Sequence, residues 1–409
     1  MTSCTWFHAS LPELVCNRLL LKFVGKRTRT ESARNTVCPT RRKALQLFYR
    51  GGSFFGLLMM FLSCCILVVS SAYVFYSMAI GIYSSAPLET TIQRTATVPS
   101  VIFTPIVPGV NFPLSDIPLL MFVLSLSLAI HEVGHAVSAY VHNVRTTEAG
   151  LFLVGIFPAA YCSIDNGGMK YLNFWKRLDI YFGGVINNLA TALFAIFFLY
   201  FLLNFVFNFF FVSGLTVMSI YKEREPRLLH ESFGVGDQII DVNAVKVTDK
   251  SGWYKEIMLC LEQNQNSSLL TGKCKFRVRR GPMEVTIDAK TPAQAASFYN
   301  SLELVDYQFT ALSDSLNFRR YGKLLYIPSA FRHICMVTVM INFSLAMINI
   351  FPVYYFDGMH IIPVVLLILA PSYQSSKMSL KRHTHTILRI GFGLFVLNVV
   401  FAWASLLIV

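Results

Sequence analysis

The residues whose types and spacing point most directly to chemistry lie in SLAIHEVGHAVSAY, residues 127–140. His131 and His135 are four apart, so on a helix they share one face and can offer two imidazoles to a single metal ion. Glu132 stands beside them, where a carboxylate can take a proton from an activated water. A zinc hydrolase normally uses three protein ligands and keeps one position open. The longer soluble pattern HExxHxxGxxH fails here: Ser138 and Val141 occupy the Gly and His places, and His142 is one position off. The third ligand must come from elsewhere in the chain. Asp357, in NIFPVYYFDG, is the leading candidate, because it is a charged residue directly after a long uncharged apolar run.

The elements that must carry these residues belong to a membrane. The 409 residues are 54% hydrophobic and only 14% charged, too apolar for an ordinary soluble protein. The net charge of +13 comes from basic residues at the edges of apolar runs, where they act as topology signals, so nucleic-acid binding is not expected. A spanning helix needs roughly 20 apolar residues. Suitable stretches occur at 54–76, 117–146, 180–221 and 333–356; 358–376 is shorter and interrupted by Pro363, and 390–409 completes the set. The expected fold is a polytopic α-helical membrane protein with five or six spans.

The segment before the first span is strongly basic, from Arg18 through Arg50, and is placed in the cytosol by the positive-inside rule. The second span then runs towards the cytosol. His131 lies about 21 Å along it from Ile117 at ~1.5 Å per residue, inside the bilayer but nearer the cytosolic face. Ionisable residues at that depth are costly unless paired or functional, and Zn²⁺ is the natural partner for three of them within five positions. Lys377, Lys381, Arg382 and Arg389 fall on the opposite side if 358–376 crosses, which suggests that it is re-entrant.

From about residue 213 to 328 the composition becomes that of a soluble domain. SGLTVMSI, FGVGDQIIDVNAVKV, CKFRVRR and MEVTIDA read as short strands, with a tight Asn-Ala turn in the second and a helix after Val247. This order resembles a PDZ domain, a module that adds an extended peptide to its sheet edge; any small mixed β domain is the plainer reading. A lumenal location would suit the glycosylation acceptor Asn266-Ser-Ser and a disulfide between Cys260 and Cys274. The chain is thus expected to divide into a basic cytosolic segment (1–52), a first membrane part (53–212), a lumenal PDZ-like domain (213–328) and a second membrane part (329–409).

Taken together, His131-Glu-Val-Gly-His135, Gly184-x-x-x-Asn188 within FGGVINN, and Asn349-x-x-Pro352-x-x-x-x-Asp357-Gly358 resemble the three motifs of the site-2 protease family of intramembrane zinc metalloproteases, most closely its animal members. The similarity runs from about Lys43 to Val409; the first 50 residues depart from the animal pattern, holding only short apolar patches such as residues 19–24. The resemblance implies zinc held by His131, His135 and Asp357, Glu132 as general base, and Asn188 orienting substrate or stabilising an oxyanion. It implies that Asn349 and Pro352 break a helix so that Asp357 reaches the metal. GLFLVGIFPAAY would form part of a membrane-embedded β region that receives substrate as an extended strand. The implied substrates are single-span membrane proteins, such as membrane-anchored transcription factor precursors already trimmed on the lumenal side, in the Golgi or endoplasmic reticulum. The competing class is a metal-transporting or catalytically inactive relative. Glu132 discriminates, since neither needs a base beside the ligands.

Overall fold

The computed structural model describes residues 23–24, 39–83, 112–220, 233–266, 274–280, 283–289, 298, 302–309 and 322–408. Five of the described helical stretches are long and apolar enough to cross a membrane: Pro39–Tyr76, Leu114–Val141, Gly183–Phe209, Gly322–Ile350 and Lys377–Ala404. They are built on helices α1 (Pro39–Tyr83), α2 (Ile117–Val141), α5 (Gly183–Phe201), α7 (Tyr326–Ile350) and α9 (Lys377–Ile408). The chain is a polytopic helical membrane protein. Large apolar side chains such as Phe61, Val69 and Phe122 point outward from these helices, an arrangement suited to lipid rather than water.

The doubtful sixth span is α8 (Gly358–Leu369), of 12 residues. At ~1.5 Å per residue it covers about 18 Å, well short of a hydrocarbon core of roughly 30 Å. A helix that does not cross leaves the end of α7 and the start of α9 on one side. On that side the basic cluster from Lys377 to Arg389 would lie with the other basic flanks, as the positive-inside rule favours.

The chain divides into two compact units, residues 1–194 with 337–409, and residues 195–336. In the first, Val141 of α2, Val185 and Ile186 of α5, Ala346 and Ile350 of α7 and Ile361 of α8 share a core with Tyr49 and Met60 of α1. After α2 the chain folds back as an antiparallel hairpin of β2 (Thr146–Val154) and β3 (Phe157–Ile164), where the sequence leads one to expect a β region. Gly155, at φ 63°, makes the turn between them. Its tip is apolar and outward, with Ile156 78% and Phe157 58% exposed. A two-residue strand β1 (Phe23–Val24) pairs with β2 opposite Leu151 and Gly150. Two short helices, α3 (Asn166–Lys170) and α4 (Phe174–Tyr181), connect the hairpin to α5; each has a side-chain N-cap, Asp165 and Asn173.

The second unit holds an antiparallel sheet in the order β8-β7-β5-β4-β9, with β6 paired to β5. Its strands are β4 (Phe211–Ile220), β5 (Gln238–Val242), β6 (Val245–Lys246), β7 (Cys274–Arg280), β8 (Met283–Ala289) and β9 (Leu302–Phe309). Asn243 and Ala244, at φ 51° and 67°, form the tight turn between β5 and β6. Helix α6 (Lys250–Asn266) puts Trp253 and Ile257 into a core with Phe233, Phe276 and Phe298. Cys260 on α6 and Cys274 on β7 form a disulfide. The acceptor sequence at Asn266 runs into residues outside the described ones. Strand β9, absent from the sequence expectation, pairs with β4 along most of its length.

Candidate metal centre

Helix α2 positions the two histidines by crossing α5 at glycine. A Cβ on Gly183 would lie 2.7 Å from the carbonyl oxygen of Gly134 and 3.2 Å from the Cα of His135. The two backbones therefore touch, as small residues allow between membrane helices. Gly134 is the glycine inside the HEVGH motif, so the motif carries its own helix-crossing point. One residue on, a Cβ at Gly184 would meet the ring of His131 at 2.5–2.6 Å. The glycine of the GxxxN motif thus leaves the space that the imidazole fills.

Asp357 is delivered by the break between α7 and α8. The helix ends at Ile350, Tyr355 takes up a positive φ of 73°, and α8 starts directly after the carboxylate. Asp357 occupies the N-cap position of α8 but makes no side-chain cap bond, which removes capping as its role. Gly358 follows the carboxylate directly. Its φ is ordinary among the described glycines, and what it permits is close approach: a Cβ there would lie 2.8 Å from the carbonyl oxygen of Ile350 and closer still to that of Phe351. Asn349 bonds back to the carbonyl of Leu345 at 2.9 Å, so its amide supports its own helix.

These elements bring His131, His135 and Asp357 together as a buried trio. His131 Nε2 is 3.0 Å from Asp357 Oδ2, His135 Nε2 is 3.2 Å from the same oxygen, and the two Nε2 atoms are 3.2 Å apart. Tetrahedral ligands at ~2.0–2.1 Å from zinc stand about 3.3 Å from one another, so the triangle has the right size. Its chemistry fits as well. His135 donates from Nδ1 to the carbonyl oxygen of Ile180 at 2.8 Å, which leaves its Nε2 as an electron-pair donor. His135 Nε2 and Asp357 Oδ2 are thus two electron-pair donors 3.2 Å apart in a buried site, an arrangement that a cation between them would relieve.

Glu132 stays out of the trio and faces β3, where its carboxylate accepts from the backbone N–H of Cys162. Asn188, fully buried on α5, places its amide 3.1 Å from Nδ1 of His131. Glu132 thus lies beside the trio, and Asn188 lies against the outer nitrogen of His131, a contact the sequence reading did not include.

His142 lies apart from the trio. Its Nε2 is 3.0 Å from Asp179 Oδ2 on α4. Asp179 is wholly buried and also accepts from Arg50, at 3.0 Å from Nε and 2.8 Å from Nη2, and from Ser53 at 2.9 Å. Burial pushes its carboxyl upward, but the His142, Arg50 and Ser53 contacts outweigh that and hold it below the ordinary carboxylate range. Sequence reasoning did not single out Asp179. The only signal available was an acidic residue in the middle of FWKRLDIY, directly before an apolar run.

Comparison with known proteins agrees with this geometry. A family model described as Peptidase family M50 matches residues 119–397, a stretch that contains all three motifs. A protein of Arabidopsis thaliana named membrane-bound transcription factor site-2 protease homolog is 25% identical over 183 residues, which is 42% of this chain and 34% of that protein. The match therefore spans about a third of that relative's length.

Proposed function

The chain belongs to peptidase family M50, and from that premise we propose that it is an intramembrane zinc metalloprotease. The observation that carries the proposal is the buried trio of His131, His135 and Asp357 with Glu132 adjacent, on a helix long and apolar enough to span a bilayer. A zinc ion held there supplies Lewis acidity and lowers the pKa of a water towards about 7. Glu132 takes the proton from the attacking water and returns it to the leaving amine. The Cys162 N–H keeps this carboxylate turned towards the hairpin.

Asn188 has a second task beyond its contact with His131. Were Nε2 of His131 to hold the metal, Nδ1 would carry the proton and would be best met by the amide oxygen. In the structure the amide nitrogen faces Nδ1 of His131 at 3.1 Å and Oδ1 has no hydrogen-bond partner; a flip of the amide would give its oxygen to the Nδ1–H and free the NH2. That NH2 donates to the scissile carbonyl as negative charge develops on its oxygen.

The substrate class follows from the setting. A peptide bond inside a membrane helix is shielded by its own hydrogen bonds and must be unwound before attack. The β2–β3 hairpin offers a sheet to which an unwound segment can add as a strand. Single-span membrane proteins are the substrates this arrangement suits, and the printed name of the plant relative supports membrane-bound transcription factor precursors among them. The Cys260–Cys274 disulfide supports an oxidising compartment for the second unit, as in the endoplasmic reticulum or Golgi, with the PDZ-like domain lumenal and the catalytic centre towards the cytosolic face.

The test is Glu132→Gln in the purified full-length protein. It should keep about one equivalent of zinc and lose cleavage of a single-span model substrate. Turnover at the wild-type rate would defeat the proposal.

A further inference from the structure

The first coordination sphere does not explain why a buried, fully satisfied carboxylate sits one residue from the carbonyl that orients His135. We infer that Asp179 is a positioning residue for the metal centre: clamped by Arg50, Ser53 and His142, it fixes the end of α4 so that the Ile180 carbonyl holds the His135 ring in its metal-binding orientation. The inference rests on the zinc reading above.

The last turn of a helix leaves carbonyls without intrahelical partners. At the end of α4 two of these are taken by α2: Ser138 Oγ donates to Asp179 O at 2.7 Å and His135 Nδ1 to Ile180 O at 2.8 Å. His135, Ser138 and His142 recur at one face of α2 and its extension, so one side of the metal helix reads the end of α4 through both backbone and side chain. Those contacts alone would let the eight-residue helix slide or rotate. The carboxylate prevents this. It accepts hydrogen bonds from both nitrogens of the Arg50 fork and from Ser53 on α1, while His142, just past the end of α2, stands 3.0 Å away as an ion-pair neighbour. Arg50 is itself seated over the Trp175 ring of α4, 5.9 Å from its centroid. The same face of α1 holds the C-terminal end of α2, through Gln46 to Val141 O at 2.8 Å and Arg42 to the same oxygen at 3.0 Å. Three helices are thus locked at the point where the ligand's outer nitrogen is anchored. Partners that orient a metal-bound histidine in this way are commonly worth 10–100-fold in metal affinity.

A buried ion pair can also serve only to hold helices together, so the experiment must read the metal site itself. Full-length wild type, Asp179→Asn, Arg50→Met and Arg50→Lys are compared by zinc affinity in a chelator competition, by the visible d–d absorption of the cobalt(II)-loaded proteins, and by thermal unfolding of the metal-free forms. Asp179→Asn and Arg50→Met should weaken zinc by roughly 10–100-fold and alter the cobalt bands, while Arg50→Lys recovers most of the affinity. Unaltered cobalt bands with zinc affinity within about twofold of wild type would overturn the inference, even if the metal-free protein melted earlier. Should Asp179→Asn fail to fold, Arg50→Met and Ser53→Ala decide by the same two readings. A wild-type protein that bound no zinc would instead remove the functional reading, a separate outcome.

Discussion

Adding one methyl group at Gly184 should disable the metal centre from a position that makes no bond to it. The new Cβ would lie 2.5 Å from Nε2 of His131 and 2.6 Å from both Cδ2 and Cε1. Comfortable contacts are about 3.5–4.0 Å, so ring or helix must retreat by about 1 Å. The helix has no room to make that adjustment by sliding, because Gly183 and Gly134 are already in backbone contact next door. The ring is held as well, at Nδ1 by the Asn188 amide 3.1 Å away. A metal site tolerates ligand shifts of about 0.2 Å, so a shift of ~1 Å removes His131 from the set. Overpacking of this kind costs about 1–3 kcal/mol in stability, and a misplacement of ~1 Å at a catalytic centre costs about 10²-fold in rate, or ~2.7 kcal/mol. The assay is zinc content together with cleavage of a single-span substrate, run beside Gly51→Ala. A Cβ at Gly51 would meet nothing within 4 Å, and alanine should if anything favour the helix there. Gly184→Ala with stoichiometric zinc and turnover within threefold of wild type would refute the packing argument.

Asp357→Asn should lose both zinc and cleavage while circular dichroism shows unchanged helix, because the carboxylate faces the two histidines and makes no cap bond to α8; normal zinc content would remove it from the ligand set. Asn188→Ala at saturating zinc should lower kcat by about 10²–10³-fold, the usual loss for one oxyanion donor, and an unchanged kcat would confine the residue to helix packing. The Asp179 carboxyl is held below its ordinary range in the folded protein, so its stabilising contribution is complete above the unfolded-state pKa and is lost as pH falls through the folded one. Thermal stability of the metal-free protein should therefore drop in acid, and Asp179→Asn should be less stable at neutral pH but flatter across that acidic range; an acid-side slope equal to wild type would contradict this.

The chemistry of the centre was readable in the sequence because it is local or carried by charge in apolar surroundings. HEVGH places two candidate ligands and a candidate base on neighbouring helical positions by periodicity alone. An isolated Asp357 after an uncharged run stands out because lipid-depth charge is costly. The spans were legible for the same reason, although their ends were not. The strands of the second unit were visible where alternation is clean, as in CKFRVRR, and β9 was missed because LELVDYQF places acidic residues within the alternation and lacks a turn signal of its own. Tertiary structure alone could decide what depends on approach between distant segments. That Gly184 underlies a histidine ring, that Gly358 serves contact rather than backbone freedom, and that α8 is too short to cross all follow from the packed geometry. Asp179 is the sharpest case. In sequence it is one acidic residue in a polar connecting helix, and only the convergence of Arg50, Ser53 and His142 from two other helices turns it into a buried carboxylate at the back of the metal site.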